Sequence, residues 1–447
     1  MSEARITWLS GPVLRAVTAD VFHTNEAVFV GRDKLLGEVI RVEENAIVAQ
    51  AYEDTSGLRP GDRVQGNGMP LSVKLGPALL GNIFDGLLRP LTTDAGDHVK
   101  PGMSSLPPAG FQFEPAVKPG DLLSAGAVIG TATNAGGFTQ SVLLAPDTGG
   151  EVVAVEGPGE LSDEQPVCLI RTAAGEEREV AMSHQWPIRA ARPVAGRLST
   201  SRPLLTGQRI LDSIFPLADG GRSAMPGGFG TGKTVLQETL AKWCDADIII
   251  YVGCGERGNE MAGVLHDLPQ LEDPRTGRPL MERTLIIANT SNMPVAAREA
   301  SIYTAVTVAE YFRDQGLRVS LMADSTSRWA EALREVSGRL GEIPGEGGYP
   351  AYLSSRLADF YERASHVRTL SGEAGSLSII GAVSPPSADF SEPVTTHTKR
   401  YVRAFWALDA TRAQARFYPA IHPLQSSSGD VDSLVTFWQE HGHPRWL

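Results

Sequence analysis

The chain has 447 residues, 42% of them hydrophobic, and a formal net charge of -12. A single core stops growing well below that length, so two or three are expected, and acidic residues spread along the chain exclude the concentrated basic face that an electrostatic grip on nucleic acid requires. No run of about 18 apolar residues occurs, the polar start Met1 to Thr7 lacks the apolar segment of a secretory signal, and Cys168, Cys244 and Cys254 are too few and scattered for a disulfide framework or a thiolate zinc site, which together point to a multidomain cytosolic protein.

In chain order, residues 1–90 read as short strands punctuated by Gly and Pro: Ala27 to Gly31, Gly37 to Val42 and Ala46 to Ala51, followed by the turn-rich stretch Gly57 to Asp62. These suggest a small N-terminal β-barrel and its connection. A second β-rich region spans 110–193, with Val117 to Asp121 and Ala145 to Gly150 as turns and Trp186 to Pro193 as an exit linker. From 194 to 428 the pattern becomes apolar strands alternating with helix-period segments, as in a mostly parallel α/β sheet. Strands are expected at Asp247 to Gly253, Arg283 to Ala288, Arg318 to Ala323 and Ser376 to Val383, and helices at Lys233 to Trp243, Val295 to Arg313 and Tyr352 to Arg363. No internal repeat interrupts this order.

The α/β region opens on Gly227-Gly228-Phe229-Gly230-Thr231-Gly232-Lys233-Thr234, a Gly-x4-Gly-Lys-Thr phosphate loop. Its glycines let backbone N–H groups turn around phosphate oxygens, the following helix aims its positive end there, Lys233 neutralises the β/γ-phosphates, and Thr234 offers a hydroxyl to Mg²⁺. The strand Val319-Ser-Leu-Met-Ala-Asp324 ends in the acid that P-loop enzymes use for the metal's hydration shell; taken alone, Asp324 would equally serve as a helix cap. In Gly255-Glu-Arg-Gly-Asn-Glu260, Glu256 would emerge at the same sheet edge as Lys233, where a carboxylate can activate water; taken alone, it is a first-turn acid on a helix dipole.

The runs Gly253 to Met261, Asn289 to Tyr303 and Ala323 to Glu335, together with Gly37 to Arg41, Tyr52 to Gly61 and Leu71 to Gly76, resemble the catalytic A subunits of vacuolar/archaeal-type rotary ATPases over nearly the whole chain. The resemblance implies a RecA-like P-loop domain preceded by a β-barrel and a "bulge" domain. It also implies ATP/ADP and Mg²⁺ as ligands, with ATP hydrolysis or synthesis coupled to proton or sodium transport. The roles it assigns are Glu256 as water activator, Arg257 as phosphate or interface ligand, Arg328 as a second phosphate-side arginine and Glu260 near the metal's water shell. Phe417 or Tyr418 would lie against adenine. It implies a B-type partner that alternates with this chain in a hexamer and lends an arginine, central shaft subunits, and a cytoplasmic place peripheral to a membrane ion-translocating sector.

Two differences from the family's usual sequence stand out. Thr231 occupies a position where Ser or Cys is frequent, and Ser387-Ala-Asp-Phe390 replaces a Gly-Gly-Asp-Phe stretch, stiffening a turn because alanine tolerates positive φ poorly. Residues 429–447 match the start of a C-terminal helical region that relatives continue, so the expectation is a shortened lever and weak coupling to transport. His441 and His443 read as a solvated tail rather than a metal site, and Tyr303, Tyr311 and Phe312 as core. The alternatives are a homohexameric secretion-associated export ATPase, against which the bulge speaks; a non-hydrolysing structural protein, against which Lys233 and Glu256 speak; and a hexameric helicase, against which the charge speaks.

Overall fold

The computed structural model describes residues 2–91, 102 and 106–441; His443 and the rest of the tail beyond 441 lie outside them. Six antiparallel strands, Glu3–Ser10, Val13–Val17, Glu26–Val30, Leu35–Val42, Ala46–Ala51 and Arg63–Pro70, close into a barrel in the order first, second, fifth, fourth, third, sixth. Alternation fills it: Ala4, Ile6, Leu14, Val28, Val39, Ile47 and Val64 point inward, and closure leaves no free edge. Only three of these strands are legible as apolar runs. Glu3–Ser10, Val13–Val17 and Arg63–Pro70 carry charged or polar residues on the outer face, which hides them.

The second region holds two four-stranded antiparallel sheets that enclose Phe111, Phe113, Ile129, Val142, Val152, Val167 and Ile170. Its way out is more ordered than a linker. His184–Pro187 is a strand paired antiparallel with Ser72–Leu75, and Arg189 and Arg192 beyond it are tied into buried ion pairs.

The main sheet is parallel through its centre, in the order Arg222–Pro226, Ala374–Val383, Arg318–Asp324, Ile248–Glu256 and Thr284–Thr290. Ile83–Phe84, from the segment expected to connect the barrel, adds to its edge. Side chains of Ile248–Glu256 alternate between two apolar layers. Ile248, Ile250 and Val252 meet Ala300, Val306 and Trp329, while Ile249 and Tyr251 meet Leu236, Leu240, Met261 and Val264. Helices therefore cover both faces, which is why the strands read as continuous apolar runs rather than alternating ones. The helix Val295–Arg313 is buried around nearly its whole circumference, and its charges are paired accordingly. Burial alone would push the Glu310 carboxyl up, but Arg363 and Arg313 hold it below the usual range.

Candidate active site

The sheet brings three strand ends to one edge. Arg222–Pro226 runs into the phosphate loop, where Gly230 and Gly232 take φ of 75° and 84°, the left-handed region that strains any residue with a Cβ. The Thr231 hydroxyl, 1% exposed, donates to the Gly228 carbonyl at 2.8 Å and braces the loop from inside. The helix Lys233–Trp243 starts on Gly232 with no side-chain cap, leaving its first-turn N–H groups and positive end for an anion. Lys233 Nζ donates to the carbonyls of Gly227 at 2.7 Å and Gly228 at 3.0 Å, and burial lowers its pKa.

Asp324 ends the strand Arg318–Asp324, one strand removed from Arg222–Pro226 and paired with Ile248–Glu256, in register with Gly253. One of its oxygens accepts from the Thr234 hydroxyl at 3.0 Å and from the Tyr251 hydroxyl at 3.1 Å. Burial, with the Glu256 carboxylate nearby, pushes the Asp324 pKa up to about 6. Glu256 belongs to the strand itself, three residues beyond the expected end. Its side chain is 8% exposed with Oε1 unpartnered, and burial, with Glu260 beside it, raises its pKa. Arg257 reaches toward Glu260 at 3.9 Å and lies over the Phe229 ring at 5.0 Å. Arg328 donates to both oxygens of Glu331, at 3.0 and 2.9 Å.

Phe229, Gly230, Gly232, Lys233 and Thr234 of the loop, with Glu256, Arg257, Glu260, Asp324 and Arg328, line one cavity of about 530 Å³. Three parts of the site escape a reading by spacing, two on the cavity wall and one, Tyr251, behind it against Asp324. Glu331 lies one helical turn beyond Arg328, Tyr251 looks like strand core, and Ser384 to Ser387 follow the apolar strand Ala374–Val383. A Pro-Pro pair directly after a buried strand was the available signal for the last. This segment is tied to both neighbours: the Gly227 N–H donates to the Val383 carbonyl at 3.1 Å, and the Ser384 N–H to the Ser327 hydroxyl at 2.8 Å. Ser387 and Ala388 stand at φ 55° and 57°.

A smaller cavity of about 190 Å³ adjoins the loop, between Thr231, Gly232, Val235 and Leu236 on one side and Leu408 and Tyr418 on the other. Tyr418 therefore flanks the loop, whereas Phe417 lies under the Arg412 guanidinium at 5.2 Å and does not line either cavity. Tyr303, Tyr311 and Phe312 are buried. His441 stacks on Phe437 at 4.0 Å.

Residues 207–428 match the model of the ATP synthase alpha/beta family nucleotide-binding domain, 107–189 the alpha/beta barrel-sandwich domain, and 6–68 the alpha/beta family beta-barrel domain. The chain is 51% identical to the A subunit of the A-type ATP synthase of Methanopyrus kandleri, over 99% of this chain and 76% of that one. It is 50% identical to the V-type ATP synthase alpha chain of Halothermothrix orenii, over 100% of this chain and 77% of that one. Among solved structures, the assembled ATPase EscN of an enteropathogenic E. coli type III secretion system superposes with a TM-score of 0.69 at 23% identity, covering 97% of this chain and 82% of that one; at that identity the likeness speaks to the fold.

Proposed function

The chain belongs to the ATP synthase alpha/beta family, and on that premise we propose that the cavity between the phosphate loop and Glu256 is where it makes or breaks the terminal anhydride bond of ATP. Half-identical relatives along essentially the whole chain are the A subunits, or alpha chains, of A-type and V-type ATP synthases, so it is an ATPase subunit that couples ATP hydrolysis or synthesis to ion transport and assembles with other subunits of that enzyme. The observation that carries the residue assignment is the convergence of Lys233, Asp324 and an unpartnered, buried Glu256 oxygen on a single cavity.

The triphosphate is cradled by the N–H groups of 227–234, with Lys233 moving from the loop carbonyls to the β/γ-phosphates. The Thr234 hydroxyl, with the Asp324 carboxylate directly behind it, completes with phosphate oxygens and water an all-oxygen set that suits Mg²⁺. When bound, Mg²⁺ neutralises charge on the β- and γ-phosphates. Glu256 orients a water for in-line attack on the γ-phosphorus. A bond forms from that oxygen as the bond to the ADP oxygen breaks, and the proton passes to the Glu256 carboxylate. Its raised affinity for protons favours that acceptance. Arg257 and Arg328 balance charge, and of the two candidate aromatics Tyr418, which lines the smaller cavity, flanks the adenine rather than Phe417.

A further arginine comes from a B-type subunit that alternates with this chain around a central shaft, so the isolated chain binds ATP but turns it over slowly. Adding the B-type subunit raises the rate by about 10³ or more. Fast hydrolysis by a demonstrated monomer would overturn the interface-completed site.

A further inference from the structure

The cavity carries more negative than positive side chains for a site that takes a polyanion: Glu256, Glu260, Asp324 and Glu331 against Lys233, Arg257 and Arg328. Glu256 and Asp324 have work to do in the proposed reaction, and the family resemblance sets Glu260 near the metal's water shell; Glu331 has no such role. It stands one turn after Arg328 on the helix Thr326–Arg339 and takes an Arg328 nitrogen on both of its oxygens. Both side chains are about one-third exposed, at 34% and 32%, so the pair is partly shielded from water and its charges are felt. A guanidinium binds carboxylate and phosphate with the same hydrogen-bonding fork. An arginine engaged by a carboxylate at this depth must leave it, or share it, to contact a phosphate.

We propose that Glu331 is a specificity-determining residue of the nucleotide site: an internal anion that competes with the terminal phosphate for Arg328. A weak competitor raises the free energy of every phosphate-bound state that uses Arg328. The penalty falls on ligands that place a phosphate in the γ position beside Arg328, so ATP and inorganic phosphate are disfavoured, and ADP, which leaves that position empty, much less. Its consequence is faster product release at some cost in affinity. A carboxylate that instead steers Arg328 toward the ligand would have the opposite sign.

The inference rests on the nucleotide reading of the cavity, and the experiment separates the two. Binding of ATP, ADP and inorganic phosphate is measured by calorimetry on the full chain, unsubstituted and as Glu331→Gln and Glu331→Asp. Product inhibition by phosphate is measured in the ring assembled with a B-type subunit. The expected result for Glu331→Gln is inorganic phosphate and ATP binding tightened by about tenfold and ADP by less, a lower KM and a lower kcat limited by phosphate release. Glu331→Asp, which keeps the charge on a shorter arm, is expected to fall between. Weaker or unchanged phosphate and ATP binding in a Glu331→Gln chain of normal thermal stability would overturn the competitor role. An unsubstituted chain that binds no nucleotide would overturn the cavity reading itself.

Discussion

At the scale of single residues, the site holds charges where water cannot screen them, and this has a measurable cost. Asp324 is buried, and its proton affinity rises from the ordinary 3.8 to about 6 in the folded protein. The stability this group contributes is thus fully present below the unfolded value of 3.8 and is lost as pH rises through about 6. Asp324→Asn removes that loss. In the absence of nucleotide its thermal midpoint is expected to exceed that of the unsubstituted chain by several degrees at pH 8, with the gain shrinking toward pH 4; a shift independent of pH would refute the assignment. The phosphate loop and Asp324 were legible because each is a contiguous signal, a glycine spacing and an apolar run ending in an acid. Tyr251 and Glu331 were not, and Tyr418 was named only through the family resemblance as one of two candidates, because what places them is the parallel sheet edge and the packing of a distant loop, and neither leaves a local pattern.

At the scale of elements, buried strands such as Ile248–Glu256 announced themselves by unbroken apolar runs, since helices cover both faces of the sheet. The strand Arg222–Pro226 did not, because it is short and carries Arg222 and Ser223. The replacement of a glycine pair by Ser387-Ala388 marked a turn where side chains are unwelcome, and both residues do take the left-handed conformation. Each non-glycine residue there costs about 1–2 kcal/mol, offset in part by the chain entropy that glycine would lose. Ser387→Gly and Ala388→Gly are therefore each expected to stabilise the chain by several tenths of a kcal/mol to about 1 kcal/mol in denaturant titrations. Two variants no more stable than the parent would show that neither backbone position is strained.

At the scale of the whole molecule, the catalytic sheet and the barrel are joined through buried charge. Arg189 donates to both oxygens of Glu38 on the barrel, at 2.8 and 2.7 Å, and to both of Glu299 on the long helix, at 3.0 and 2.7 Å; the Tyr52 hydroxyl donates to Glu38 at 2.5 Å. Arg298, adjacent to Glu299 on that helix, lies against Gly255, directly before Glu256. Removing the cation strands two buried acids, so Arg189→Met is expected to cost about 3–5 kcal/mol and to expose the junction near Pro187 to a protease. Undiminished stability and protease resistance would show the junction to be held by packing alone. In the proposed reaction Glu256 is the group that takes the proton from the attacking water. That role is tested most directly by steady-state ATP hydrolysis in a ring assembled from Glu256→Gln and a B-type subunit, with ATP affinity measured on the same preparation. The expected result is turnover lowered about a hundredfold or more with affinity within about threefold; near-normal turnover in an intact ring would contradict it.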